Sequence, residues 1–202
     1  MNPQHAITYN NANTNKKVIY RSFVTNNYPA VAAGGNFNQL INSGIVHPTG
    51  VLIVPFLGAV TGTNGGLVDS QWKSRFDTCP CTTSAVSLCN LQVSVGGQNV
   101  LQSTLQYGYE HCFLEQVDLA EQLTSSDFGI STGLINQNYW ENSKWYYVNV
   151  ERGNAADKLN GRNINVSFTN NSNVPIEVMV FIFYSDEVTI NVKTGLVLRH
   201  NN

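Results

Sequence analysis

The sequence predicts an all-β fold: a single eight-stranded sandwich of two stacked sheets, with one short helical insertion and an N-terminal arm. Three observations lead there. Residues 145–195, WYYVNVERGNAADKLNGRNINVSFTNNSNVPIEVMVFIFYSDEVTINVKTG, read as one apolar strand after another with polar joints. Turn signals rich in Gly, Pro and Asn punctuate the rest of the chain, and the best helix candidate is a single stretch, residues 109–123. The length, 202 residues, suits one sandwich-sized domain that can bury a sizeable core without a staple.

Taken in order, residues 1–17 are polar and Asn-rich and are expected to form a flexible arm, with residues 18–202 as one domain. Val18, Tyr20, Ser22 and Val24 alternate with Ile19, Arg21 and Phe23, the period of a strand. Pro29 and Gly34-Gly35 break it, and residues 37–41 suit a second, short strand. HPTG at 47–50 is a turn, after which residues 50–57 are apolar on both sides and fit a doubly covered strand. Residues 58–85 make a long connection. Leu91, Val93 and Val95 then point one way and Asn90, Gln92 and Ser94 the other, with Gly96-Gly97 closing a hairpin. In the helix candidate Phe113, Val117 and Ala120 fall on one stripe, flanked by Leu114 and Glu121. Residues 124–143 form a long excursion between strands. Ile164, Val166 and Phe168 line one face of a later strand, and residues 176–184 are apolar on both faces. Asp186-Glu187 reads as a strand turn before a last alternation at Val188, Ile190 and Val192. Long, uneven gaps at 61–85 and 102–143 do not suit an up-and-down barrel. They suit the Greek-key crossings of a jelly roll.

Composition narrows the function. Charged residues are 12% of the chain against a usual share of about 25%, so the surface must be built largely from Asn, Gln, Ser and Thr. Such a surface loses little desolvation energy on docking, which suits a subunit that assembles, and the same composition also suits an ordinary polar secreted domain. The net charge of −2 and the thin basic cluster at Lys16, Lys17 and Arg21 predict no direct nucleic-acid binding. No apolar run reaches the roughly 18 residues of a membrane span. The first 15 residues have no basic start followed by an apolar stretch, so the chain is expected to be made in the cytoplasm and not exported by a signal peptide.

Chemistry is not in evidence. The histidines, His5, His47, His111 and His200, are scattered, and His111 and Cys112 are sequence neighbours whose side chains diverge on a helix. Cys79, Cys81, Cys89 and Cys112 lack the two close pairs of a structural zinc site, so free thiols are expected. No phosphate-binding, nucleophile-elbow or metalloprotease motif occurs. No catalytic residue, metal or cofactor is expected. The aromatic run Trp140, Trp145, Tyr146 and Tyr147 suits a sandwich core, a subunit seam or a sugar platform.

Three stretches together carry a resemblance: RFDTCPCTTSAVSLCNLQVSVGGQNVLQ, YGYEHCFLEQV, and STGLINQNYWENSKWYYVNVER with the strands that follow it to 198. In order and character they resemble the C-terminal jelly roll of major capsid proteins from small icosahedral DNA viruses, of the polinton-like and virophage-like kind. The resemblance spans about residues 74–198. It implies a self-assembling capsid subunit located in the virion, whose partners are copies of itself and other shell proteins. Those capsid proteins carry two jelly rolls where this chain has room for one, which leaves open a pentameric vertex protein. A glycan- or receptor-binding sandwich is the remaining alternative. The expected inter-subunit surfaces are the arm at 1–17 and the segments 58–85 and 102–143, with Trp72, Phe128, Trp140 and Trp145 as aromatic anchors.

Overall fold

The computed structural model describes residues 3–41, 44–57, 86–101, 106–123, 136–151 and 163–199. Among them are nine strands: β1 (Asn15–Val31), β2 (Asn36–Ile41), β3 (Pro48–Leu57), β4 (Leu88–Val95), β5 (Gln98–Asn99), β6 (Tyr146–Asn149), β7 (Ile164–Asn170), β8 (Ile176–Asn191) and β9 (Val197–Arg199). Three helices accompany them: α1 (Pro3–Ala12), α2 (Tyr109–Leu123) and α3 (Gln137–Asn142).

The strands sort into two antiparallel sheets. One runs β1-β8-β3-β6, with β9 added to β8, and the other runs β2-β7-β4-β5. Within the first eight strands the first pairs with the eighth, the second with the seventh, the third with the sixth and the fourth with the fifth. That is one long hairpin rolled over on itself, the order of an eight-stranded jelly roll.

Side-chain period explains why these segments sit where they do. In β7 every second residue is buried, so Ile164, Val166, Phe168 and Asn170 face in. β4 alternates likewise around Leu91, Val93 and Val95, with a register shift between Cys89 and Gln92 where Asn90 takes a positive φ of 53°. β3 is buried along most of its length, as its unbroken apolar run requires. Gly50 leaves room there for Tyr147, because an added methyl would crowd its hydroxyl and sit 2.7 Å from its ring carbons. The core lies between the sheets, with Val51, Ile53, Val178, Val180 and Ile182 on one side and Leu91, Val93, Ile164 and Val166 on the other. Tyr146 ties the layers together, its hydroxyl accepting the Leu88 N–H at 3.0 Å.

At one end of the sandwich the fully buried Asn170 ties the end of β1 to the turn that follows β7. Its amide nitrogen donates toward the carbonyls of Val31, Ala32 and Val174 at 3.0–3.2 Å, and its Oδ1 accepts the Ser172 N–H at 2.9 Å. Ser172 in turn exchanges hydrogen bonds with the Ser87 backbone.

Four details differ from the sequence expectation. The segment expected as an arm contains α1, a helix with no buried residue, and β1 begins at Asn15. The excursion at 124–143 ends in α3, whose Asn136 cap accepts the Tyr139 N–H. Asp186-Glu187 is not a turn, because β8 runs straight through it. Tyr20 on β1 donates to the Asp186 carboxylate at 2.6 Å, and Lys17 pairs with Glu187 at 2.8 Å, so both acids find partners on the neighbouring strand. Finally, α2 presents a different face from the one expected. Cys112 and Glu115 are buried, while Phe113 and Leu114 face outward.

Candidate assembly surface

The reason for that rotation lies at β6, the edge strand of the first sheet. An unpaired edge is a template for unwanted pairing unless it is covered. The even residues of β6 turn toward β3, and beyond its end Val150 N–H still donates to Thr49. The backbone groups of Tyr147 and Asn149 point away from the sheet. Tyr107 meets the first pair, its hydroxyl donating to the Tyr147 carbonyl at 2.5 Å and accepting the Tyr147 N–H at 3.2 Å. The buried Glu115 carboxylate accepts the Asn149 N–H at 2.8 Å. Burial pushes the Tyr107 phenol well above its usual range, and the nearby Cys112 and Glu115 raise it further. Tyr107 therefore stays a hydrogen-bond donor throughout the ordinary pH range. This edge is sealed.

Three of the four rings in the aromatic run beside it are buried too. Trp140 is 2% exposed and packs among Tyr107, Tyr109 and Tyr146, its indole N–H donating to the Trp145 carbonyl at 2.8 Å. Trp145 is half-buried against the same core. Tyr146 and Tyr147 are each 1% exposed, so these rings offer no face on which a sugar could stack. Trp72 and Phe128 lie outside the described residues, as does segment 58–85. Cys79, Cys81 and His200 lie outside them as well. Neither Cys89 nor Cys112 forms a disulfide, and among the described residues no three His, Cys, Asp or Glu side chains gather as a metal site. No helix among the described residues is long and apolar enough to cross a membrane.

The other edge is built differently. From residue 24 back to 15, β1 runs beyond the core, paired throughout with β8 residues 182–191, and β9 joins β8 on its far side. The result is a two-stranded antiparallel ribbon about 30 Å long at the usual rise per residue, widened to three strands by β9 alongside residues 188–190. None of its residues beyond Ile182 and Tyr184 belongs to or packs on the core cluster. Apolar side chains project from both of its faces. Ile19 is 71% exposed and Phe23 57% on the outer face, where Phe23 packs against Phe181 and Phe183. Val18, Val24 and Val197 are exposed on the opposite face, and Val192, Leu196 and Leu198 are exposed near the tip. Exposed apolar side chains in such number on one projecting element suit an interaction surface. Sequence reasoning placed the strand but named none of these residues as contacts. The available signal was Lys16, Lys17 and Arg21 interrupting an apolar alternation, which puts charge and hydrophobe on both faces of one strand.

Comparison with known proteins agrees with the topology. No family model matches the chain, and no curated protein does. Among solved structures, the crystal structure of PBCV-1 VP54 fitted into a cryo-EM reconstruction of the virophage Sputnik aligns at a TM-score of 0.51 and 11% identity, covering 100% of this chain and 55% of that one. The quasi-atomic model of the PBCV-1 virus capsid aligns at 0.49 and 10% identity, over 100% and 55% of the two chains. The 3.5 Å structure of the Sputnik virophage aligns at 0.45 and 11%, over 94% and 39%. The likeness to VP54 is one of fold, and it agrees with the jelly-roll strand order. The chain spans about half the length of the VP54 chain it matches.

Proposed function

We propose that this chain is a structural protein of a virion, a self-assembling jelly-roll subunit of an icosahedral shell. Its action is geometric association and not a reaction, and its partners are further copies of itself and other shell proteins. The observation that carries this reading is the ribbon of β1, β8 and β9, which leaves a closed sandwich core and exposes apolar side chains on both faces. A lone globule gains nothing from such a projection, whereas a tile gains a contact. The capsid jelly-roll fold supports the same reading as an analogy of architecture. Many modest contacts repeated by symmetry stabilise a shell without any one strong interface. In this reading Trp140 acts from inside, stiffening the subunit, and the arm at 1–17 with segments 58–85 and 102–143 completes the contacts.

The test is sedimentation velocity of the purified protein over a wide concentration range, followed by negative-stain microscopy. Discrete rings or regular particles are expected. A monomer that persists at the highest attainable concentration would refute the proposal.

A further inference from the structure

Five of the chain's 11 Lys and Arg residues, Lys16, Lys17, Arg21, Lys193 and Arg199, lie on the ribbon or its tip, with only Asp186 and Glu187 of its 13 acids. The ribbon therefore carries net +3 and the remainder of the chain −5. Helix α2 has the opposite character. It holds Glu110, Glu115, Asp118 and Glu121 and no Lys or Arg. Its outward face shows Leu114, 61% exposed, and Phe113 beside the exposed Glu110. The helix packs on β6, while the ribbon grows from β1 and β8, and the strand order β1-β8-β3-β6 puts β1 and β6 at opposite edges of one sheet. One subunit therefore bears a basic apolar ribbon at one edge and, at the other, a helix whose described outward side chains are Leu114, Phe113 and the carboxylate of Glu110.

We propose that the ribbon of one copy docks on the outer face of α2 of the next, a head-to-tail contact that adds a specific seam to the shell-subunit reading on which it rests. Two alternatives among copies are weaker. Pairing β1 with β1 about a two-fold axis brings Lys16, Lys17 and Arg21 of both copies to one seam, and like charges across strands repel. Pairing β6 with any strand is blocked by Tyr107 and Glu115. The head-to-tail contact sets the basic excess of the ribbon against Glu110 and its apolar side chains against Leu114 and Phe113, and such heterologous contacts close into rings when the rotation allows. Complementary charge would set register and speed of association, and the apolar side chains would supply the buried area.

The experiment is a charge swap read by sedimentation velocity. Arg21→Glu on the ribbon and Glu110→Lys on the helix are each expected to weaken self-association about tenfold, because each brings like charges together at the seam. The double variant R21E/E110K is expected to recover most of the loss. Both positions are exposed, and matching thermal melts of the variants and wild type would show that folding is intact. If wild type associates and neither single variant differs from it, the seam is wrong while the shell reading stands. Weakening by Arg21→Glu that Glu110→Lys does not repair likewise overturns the pairing. If wild type remains monomeric, both proposals fall. Binding of anionic lipid vesicles or duplex DNA by that monomer, lost in Arg21→Glu, would assign the ribbon to a different partner.

Discussion

Tyr107→Phe tests the sealed edge of β6 most sharply. The substitution keeps the ring, and with it the packing against Trp140 and Tyr146, and removes only the hydroxyl. That oxygen serves two backbone groups of Tyr147, the N–H and the carbonyl, within a buried strand. A buried polar group deprived of its partner costs about 1–3 kcal/mol, so two such groups should cost about 2–5 kcal/mol together. For a domain of this size that corresponds to a fall in Tm of roughly 5–15 °C. Urea denaturation followed by tryptophan fluorescence should show a lower midpoint with an unchanged slope, since the surface exposed on unfolding is the same. The pH dependence adds a second signature. The folded phenol keeps its proton well above the usual range, whereas the unfolded one ionises near pH 10. Its contribution is fully present below about pH 10 and is lost as pH rises beyond that, because the unfolded state then binds fewer protons than the native state. Wild type should therefore lose stability above about pH 10 more steeply than Tyr107→Phe. A variant within about 0.5 kcal/mol of wild type, with the same alkaline profile, would refute the claim that Tyr107 seals the edge.

Three further substitutions probe the same architecture. Glu115→Ala should cost about 1–3 kcal/mol in denaturant titration by leaving the Asn149 N–H without its acceptor, and Glu115→Gln, which keeps an acceptor oxygen, should recover much of that. Asn170→Ala should be more severe, about 3 kcal/mol or more by thermal or chemical melting, since the amide serves four backbone groups from a fully buried position. Gly50→Ala should destabilise by about 1–3 kcal/mol by driving a methyl into the Tyr147 ring, and a second change, Tyr147→Val, should relieve part of that cost in a double-mutant cycle.

What could be read from the sequence follows a physical division between local and non-local information. Strand period is local. The alternation of Leu91, Val93 and Val95, and that of Ile164, Val166 and Phe168, identifies both strands and their inward faces without reference to a partner. Helix extent is nearly local too, and α2 spans the stretch its pattern marks. Which face of α2 is buried is not local. Phe113 and Leu114 are the more hydrophobic, yet Glu115 faces in because an edge strand two elements away needs an acceptor. Asp186 and Glu187 likewise look like turn residues until β1 supplies Tyr20 and Lys17 across the ladder.

The assembly surface shows the limit most plainly. Nothing in the alternation of residues 15–24 distinguishes a strand inside a sandwich from one that outruns it. Exposure depends on whether a second sheet lies opposite, and that is decided by how far β2, β7, β4 and β5 extend. By itself, then, the sequence determined an all-β jelly roll of low charge, with most of its strands, the inward faces of β4 and β7, and the extent of its long helix. Only the tertiary structure decided which edge is sealed, which edge projects, and where apolar side chains remain uncovered. Periodicity records what a segment can bury, and burial itself is settled by what the rest of the chain places against it.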